Sequence, residues 1–168
     1  MNSRLIGGSL ILVFVGLAVG LGACNQKRVR AVSLMNEGLK AQEHGQRGLA
    51  VDYLTQAMEK DATYAKPAFY LAQIHHRGIN SVEEAIPYYR KATNRDPSNA
   101  KYAYHLGTAL LETNSPDQAI PYLKQAVNAK TQFAKAWLRF GQSQESTGQF
   151  ESAANSFMRS IRANPELT

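Results

Sequence analysis

Residues 134–165 read AKAWLRFGQSQESTGQFESAANSFMRSIRANP, and the small residues in that stretch decide the fold. Gly141, Ala153 and Ser160 stand 12 and 7 residues apart, and the large Phe157 lies between the last two. The same arrangement occurs three times upstream: Gly107, Ala119, Leu123, Ala126; then Ala72, Ala85, Tyr89, Ala92; then Gly38, Ala50, Leu54, Ala57. Ala50, Ala85, Ala119 and Ala153 are separated by 35, 34 and 34 residues. A period of this length marks stacked supersecondary units, none of which can bury its apolar face alone. It holds two helices of about 14 residues with short turns. Small residues at one slot of the first helix and two of the second let the pair approach closely. The large residue is expected to fill space toward the next unit.

The pattern predicts helices at 27–44, 47–60, 64–77, 82–94, 99–112, 116–129, 132–146 and 150–163. Ser81-x-x-Glu84 and Ser115-x-x-Gln118 read as capping boxes. Pro116 suits a first helical position, and Gly45 and Gly148 suit turns. Copy two carries one extra residue, which should bulge the turn Arg77-Gly78-Ile79-Asn80. Pro87 and Pro121 each remove a backbone bond from the second turn of a helix.

These residues resemble the tetratricopeptide repeat. Trp137, Phe140, Gly141, Gly148, Ala153, Phe157 and Pro165 make the fourth copy the nearest match, and Pro97 recurs with Pro165. The resemblance implies an all-α fold, a right-handed α-solenoid of four helix-turn-helix repeats at about 31–64, 65–99, 100–133 and 134–167. Copy one departs from the pattern, with Glu37 where the family usually has Leu.

The N-terminus has a separate logic. Arg4 precedes Leu5–Ala23, 19 residues without a charge and with Ser9 the one polar side chain. Segments of this kind are secretory signals. Leu21-Gly22-Ala23-Cys24 resembles the lipobox of bacterial lipoproteins, which implies cleavage before Cys24 and lipid on its sulfur. The domains are then a signal peptide at 1–23, a basic tether at 24–30 and repeats at 31–167. Asn25 stands where the enterobacterial inner-membrane retention signal is Asp, which favours the outer membrane over the inner, with the repeats on the periplasmic face. The alternative is an uncleaved transmembrane anchor with the repeats facing the cytoplasm. An apolar run of this length can just span a bilayer, and Lys27, Arg28 and Arg30 follow it closely.

The chain has 168 residues, one cysteine and a formal charge of +6. A single cysteine excludes an intramolecular disulfide and a cysteine-based zinc site. No phosphate loop, nucleophile elbow or zinc-protease motif is present. His75, His76 and His105 are not read as metal ligands, because adjacent histidines point to different faces of a helix. The chain is therefore expected to be non-enzymatic and without a cofactor, and to bind no nucleic acid.

Stacked repeats offer a surface. The first helices should line a concave groove, placing Lys66, Phe69, Tyr70 and Gln73 from copy two there. Copies three and four add Lys101, Tyr104 and His105, then Lys135, Leu138 and Arg139. The lysine column suits peptide segments that are acidic or end in a carboxylate. Some chaperone-binding family members clamp peptide C-termini with five residues. Lys135 and Arg139 match the last two of these, while Phe69, Gln73 and His105 replace the preceding Lys, Asn and Asn. The resemblance implies a membrane-tethered protein-interaction adaptor, similar to pilotins or to scaffolds that gather cell-wall enzymes. Phe157 and Ile161 should form a C-terminal contact surface for a second copy of the chain or for a partner's helix.

Overall fold

The computed structural model describes the backbone of residues 8–79 and 81–164, and the side chains of residues 25–77 and 81–164. Among the described residues all regular structure is helical. The elements are α1 (Gly8–Glu43), α2 (Arg47–Lys60), α3 (Ala65–Ile74), α4 (Val82–Arg95), α5 (Ala100–Glu112), α6 (Pro116–Ala129), α7 (Ala134–Ser146) and α8 (Phe150–Ala163). A π-helical turn, His75–Ile79, follows α3 directly. The chain divides into two compact units, residues 1–62 and residues 63–168.

In the first unit α1 and α2 form one helical hairpin. The expected start of α1 at 27 is wrong: the helix is continuous from Gly8, and the expected tether at 24–30 is helical. No Pro or Gly lies between Ala23 and Val32, so nothing there stops a helix. Ala31, Met35 and Ala41 of α1 are buried, as are Ala50, Leu54 and Ala57 of α2. A methyl group on Gly38 would lie 2.9 Å from Cγ of Leu54. Glu37 points outward and pairs with Lys40 at 3.0 Å, which accounts for a charge at that position. Among the described residues no helix is long and apolar enough to cross a membrane. The lipobox residues fall outside the described side chains.

In the second unit the described residues form three hairpins, α3/α4, α5/α6 and α7/α8. All twelve small slots of the two units are buried. Tyr89 of copy two does reach toward the next unit, where it stacks on His105, but Leu54, Leu123 and Phe157 pack into their own hairpins. A Cβ on Gly107 would lie 2.5 Å from Cγ of Leu123, and one on Gly141 2.5 Å from Cε1 of Phe157. The large side chain thus fills the notch left by the small residue of its own hairpin, which is why the two are coupled in the sequence. Ser160 takes the Ala slot because its hydroxyl donates to the Ala134 carbonyl at 2.9 Å.

The helix ends explain the boundaries. Gly45 and Gly148 have φ of 73° and 77°. Asn114 holds the same place in its repeat with φ 54°, a conformation Asn tolerates better than other non-glycine residues. Ser81 accepts from the Glu84 amide at 3.2 Å, one half of the expected capping box. Ser115 does not cap: its hydroxyl donates to the Thr113 carbonyl at 3.3 Å instead. Asn80 lies outside the described residues, and through Ile79 the extra residue of copy two does not form a bulged loop. It is absorbed by the π-helical turn, whose wider winding takes in one more residue without leaving the helix. Helices α4 and α6 continue through Pro87 and Pro121.

Candidate functional site

The first helices of the three C-terminal hairpins, α3, α5 and α7, carry the expected groove residues. Lys66, Lys101 and Lys135 are all exposed, and none makes an ion pair among the described residues. Each is the second residue of its helix. The side chain therefore projects from the same end of each repeat. Tyr70, Gln73, Tyr104, His105, Leu138 and Arg139 are half-buried. Arg139 donates to Oε1 of Gln142 at 3.0 Å.

Phe69 does not line this face. It is 3% exposed, and its ring meets Tyr102 at 4.8 Å and His105 at 5.2 Å between centroids. The Lys101 ammonium sits 5.0 Å above the Phe69 ring centroid, a cation–π contact that holds the lysine stem in place. Phe69 thus forms the floor on which Lys101 of the basic column rests. Phe133 and Tyr104, 4.8 Å apart, join α5 to the start of α7.

A polar and aromatic chain runs through the same region. His105 stacks on Tyr89 at 5.7 Å and 14°. His76 Nε2 lies 2.7 Å from Oε2 of Glu112, and its Nδ1 lies 3.2 Å from the Tyr89 hydroxyl. A carboxylate only accepts, so Nε2–H donates to Glu112; in the neutral ring Nδ1 then accepts from Tyr89. Burial pushes the Tyr89 phenol well above its ordinary range, which keeps it a donor. Burial pushes Tyr102 up to about 12. Burial, then the charges of Lys101, Arg77 and His76, lowers His105 to about 4. His75 takes another direction: it donates through Nδ1 to Glu84 at 3.0 Å and stacks on Tyr88.

Sequence reasoning missed this chain. Its signal was the extra residue of copy two, since the π-helical turn begins at His75 and includes His76. Among the described residues no group of acidic, His and Cys side chains could hold a metal ion. Phe157 is half-buried against Gly141, whereas Ile161 is 46% exposed.

Stacked helical hairpins with an open basic and aromatic face define a helical-repeat interaction scaffold. The chain belongs to the tetratricopeptide repeat family, whose model matches residues 35–100, 76–136 and 104–167. The fold is that family's α-solenoid, as solved structures also show. MamA protein superposes with a TM-score of 0.75 at 22% identity, over 82% of this chain and 75% of that one. A MamA from Desulfovibrio magneticus RS-1 gives 0.72 at 19% identity, over 82% and 77%. YrrB, described as a TPR protein with an unusual peptide-binding site, gives 0.73 at 23% identity, over 82% and 70%. No curated protein sequence matches the chain.

Proposed function

We propose that the chain is a lipid-tethered adaptor of the bacterial envelope, pilotin-like or assembly-factor-like, whose first-helix face takes extended peptide segments. The observation that carries the peptide reading is the lysine column of Lys66, Lys101 and Lys135, exposed and without acidic partners among the described residues. Arg139, Tyr70, Tyr104 and Leu138 border it. Unpaired ammonium groups beside aromatic area suit a segment rich in Asp and Glu, or one ending in a carboxylate. YrrB supports peptide binding as a use of this fold. The tether rests on Leu21-Gly22-Ala23-Cys24, and Asn25 favours the outer membrane. The same reading includes a second copy of the chain as a partner at the C-terminal hairpin.

The test uses the full chain and an array of peptides with acidic or neutral C-terminal segments. Lys101→Glu with Lys135→Glu should weaken capture of acidic peptides by about tenfold or more. It should cost no more than about 1 kcal/mol of stability, the loss of the Lys101 cation–π contact on Phe69, because both side chains are otherwise exposed. Added salt should weaken wild-type capture in parallel. Capture that ignores both the substitutions and salt would remove the groove reading.

A second reading is an uncleaved anchor with the repeats in the cytoplasm. The apolar run Leu5–Ala23, followed closely by the basic residues Lys27, Arg28 and Arg30, favours it. Sequencing the N-terminus of the membrane-bound protein separates the two.

A further inference from the structure

One position compared across repeats sets the C-terminal hairpin apart. Thr93, Val127 and Ile161 occupy the same slot of α4, α6 and α8. Thr93 is 2% exposed and Val127 1%, because the next hairpin covers each of them. Ile161 is 46% exposed. It does not stand alone: Phe150 is 70% exposed and Met158 49%, and Ala154 is exposed between them. Residues 150, 154, 158 and 161 fall on one side of a helix. The stripe lies beside the buried face of Ala153, Ser156 and Ser160. Phe150 stands in the slot that Pro116 takes in α6.

The charges beside the stripe say what covers it. Glu151 and Arg162 lie on the same flank of α8, one near each end, and both are exposed. Neither makes an ion pair among the described residues. A parallel neighbour would set Glu151 against Glu151 and Arg162 against Arg162. An antiparallel copy related by a two-fold axis sets each Glu151 opposite the other copy's Arg162. The same register, to within a residue, sets Phe150 opposite Ile161 and Ala154 opposite Met158. Small faces large at the centre, large residues close both ends, and the charges pair outside. A two-fold interface must be complementary to itself in this way. The opposite charges at the flank act as the outer positions of a helix pair do in choosing orientation.

We propose that α8 pairs with α8 of a second copy, antiparallel, through Phe150, Ala154, Met158 and Ile161, with Glu151–Arg162 ion pairs crossing between the copies. This deepens the part of the proposed function that counts a second copy as partner, and it is independent of the groove. One helix pair covers less than the ~1,200–2,000 Å² of a stable interface. The dimer is therefore expected to be weak in solution and to gain from confinement on a membrane.

The experiment follows the mass of the detergent-solubilised full chain by sedimentation across micromolar to several hundred micromolar protein. Wild type should shift from monomer to dimer, and Met158→Asp with Ile161→Asp should stay monomeric. Glu151→Arg and Arg162→Glu should each weaken the dimer by about tenfold. The two together should restore it, which a merely destabilised hairpin would not do. A short bismaleimide should also cross-link Ala154→Cys to its counterpart in intact membranes, with the link mapped between two copies of residue 154. Wild type monomeric throughout would overturn the proposal. So would a dimer indifferent to the stripe, or a double reversal no better than either single one. A face that instead captures a foreign helical peptide while the chain stays monomeric would also overturn it. Acidic-peptide capture by the α8 variants reports separately on the groove.

Discussion

His105 is held where its charged form is disfavoured on every side. Burial, Lys101, Arg77 and His76 all oppose a second proton, and the ring titrates at about 4 instead of 6.5. The sign of the linkage follows. Between those two values the unfolded chain binds a proton that the folded chain refuses. Stability is thus fully present above about pH 6.5, falls as pH drops toward 4, and levels off below. The full loss is on the order of 3 kcal/mol. Urea unfolding from neutral pH to about pH 4 should show this slope, and His105→Phe should flatten it, since a phenyl ring keeps the stack on Tyr89. A slope unchanged by His105→Phe would place the titration elsewhere. The sequence offered His105 as a groove residue and could not show this. Its environment is set by Tyr89 and Phe69, which lie 16 and 36 residues away along the chain.

Elements were more legible than environments, because periodicity and turn chemistry are local. Ser81 and Ser115 show where that legibility ends. Both open a second helix, and both have Glu or Gln three residues on. Only Ser81 accepts from an N3 amide; Ser115 turns its hydroxyl back to Thr113. Pro116 follows Ser115 at the first helical position and removes one of the orphan amides there. Ser81→Ala should cost about 1 kcal/mol, and Ser115→Ala a few tenths at most. Paired thermal melts would separate them, and equal losses would mean that the Ser115 hydroxyl turns inward in solution. The π-helical turn was illegible for a related reason. The sequence shows that copy two has one residue too many, but helix and loop can each absorb it. The choice falls to contacts His76 makes with Tyr89 and Glu112.

At the scale of the whole chain, the repeats and the N-terminal segment answer to different chemistry. Twelve small residues are enough to define the hairpins, since each must sit where two backbones approach. The lysine column was readable because it needs only exposure, and Phe69 was misplaced because burial depends on the neighbouring repeat. Cys24 belongs to neither argument. Its neighbours Leu21, Gly22 and Ala23 fit a peptidase that needs close access to the backbone, and helix α1 runs through them without a break. Removal of residues 1–23 would leave a helix beginning beside Lys27, Arg28 and Arg30, close to the lipid. In the proposed lipid-tethered form, three acyl chains would bury tens of CH₂ groups at ~0.8 kcal/mol each, enough to hold the protein on the membrane without the apolar run. Cys24→Ala should therefore abolish lipid labelling and leave the precursor uncut, whereas wild type should carry labelled lipid on an N-terminus at Cys24. Intact-mass analysis of the membrane fraction decides: a wild-type chain that retains residues 1–23 returns the segment to its other role, an uncleaved anchor.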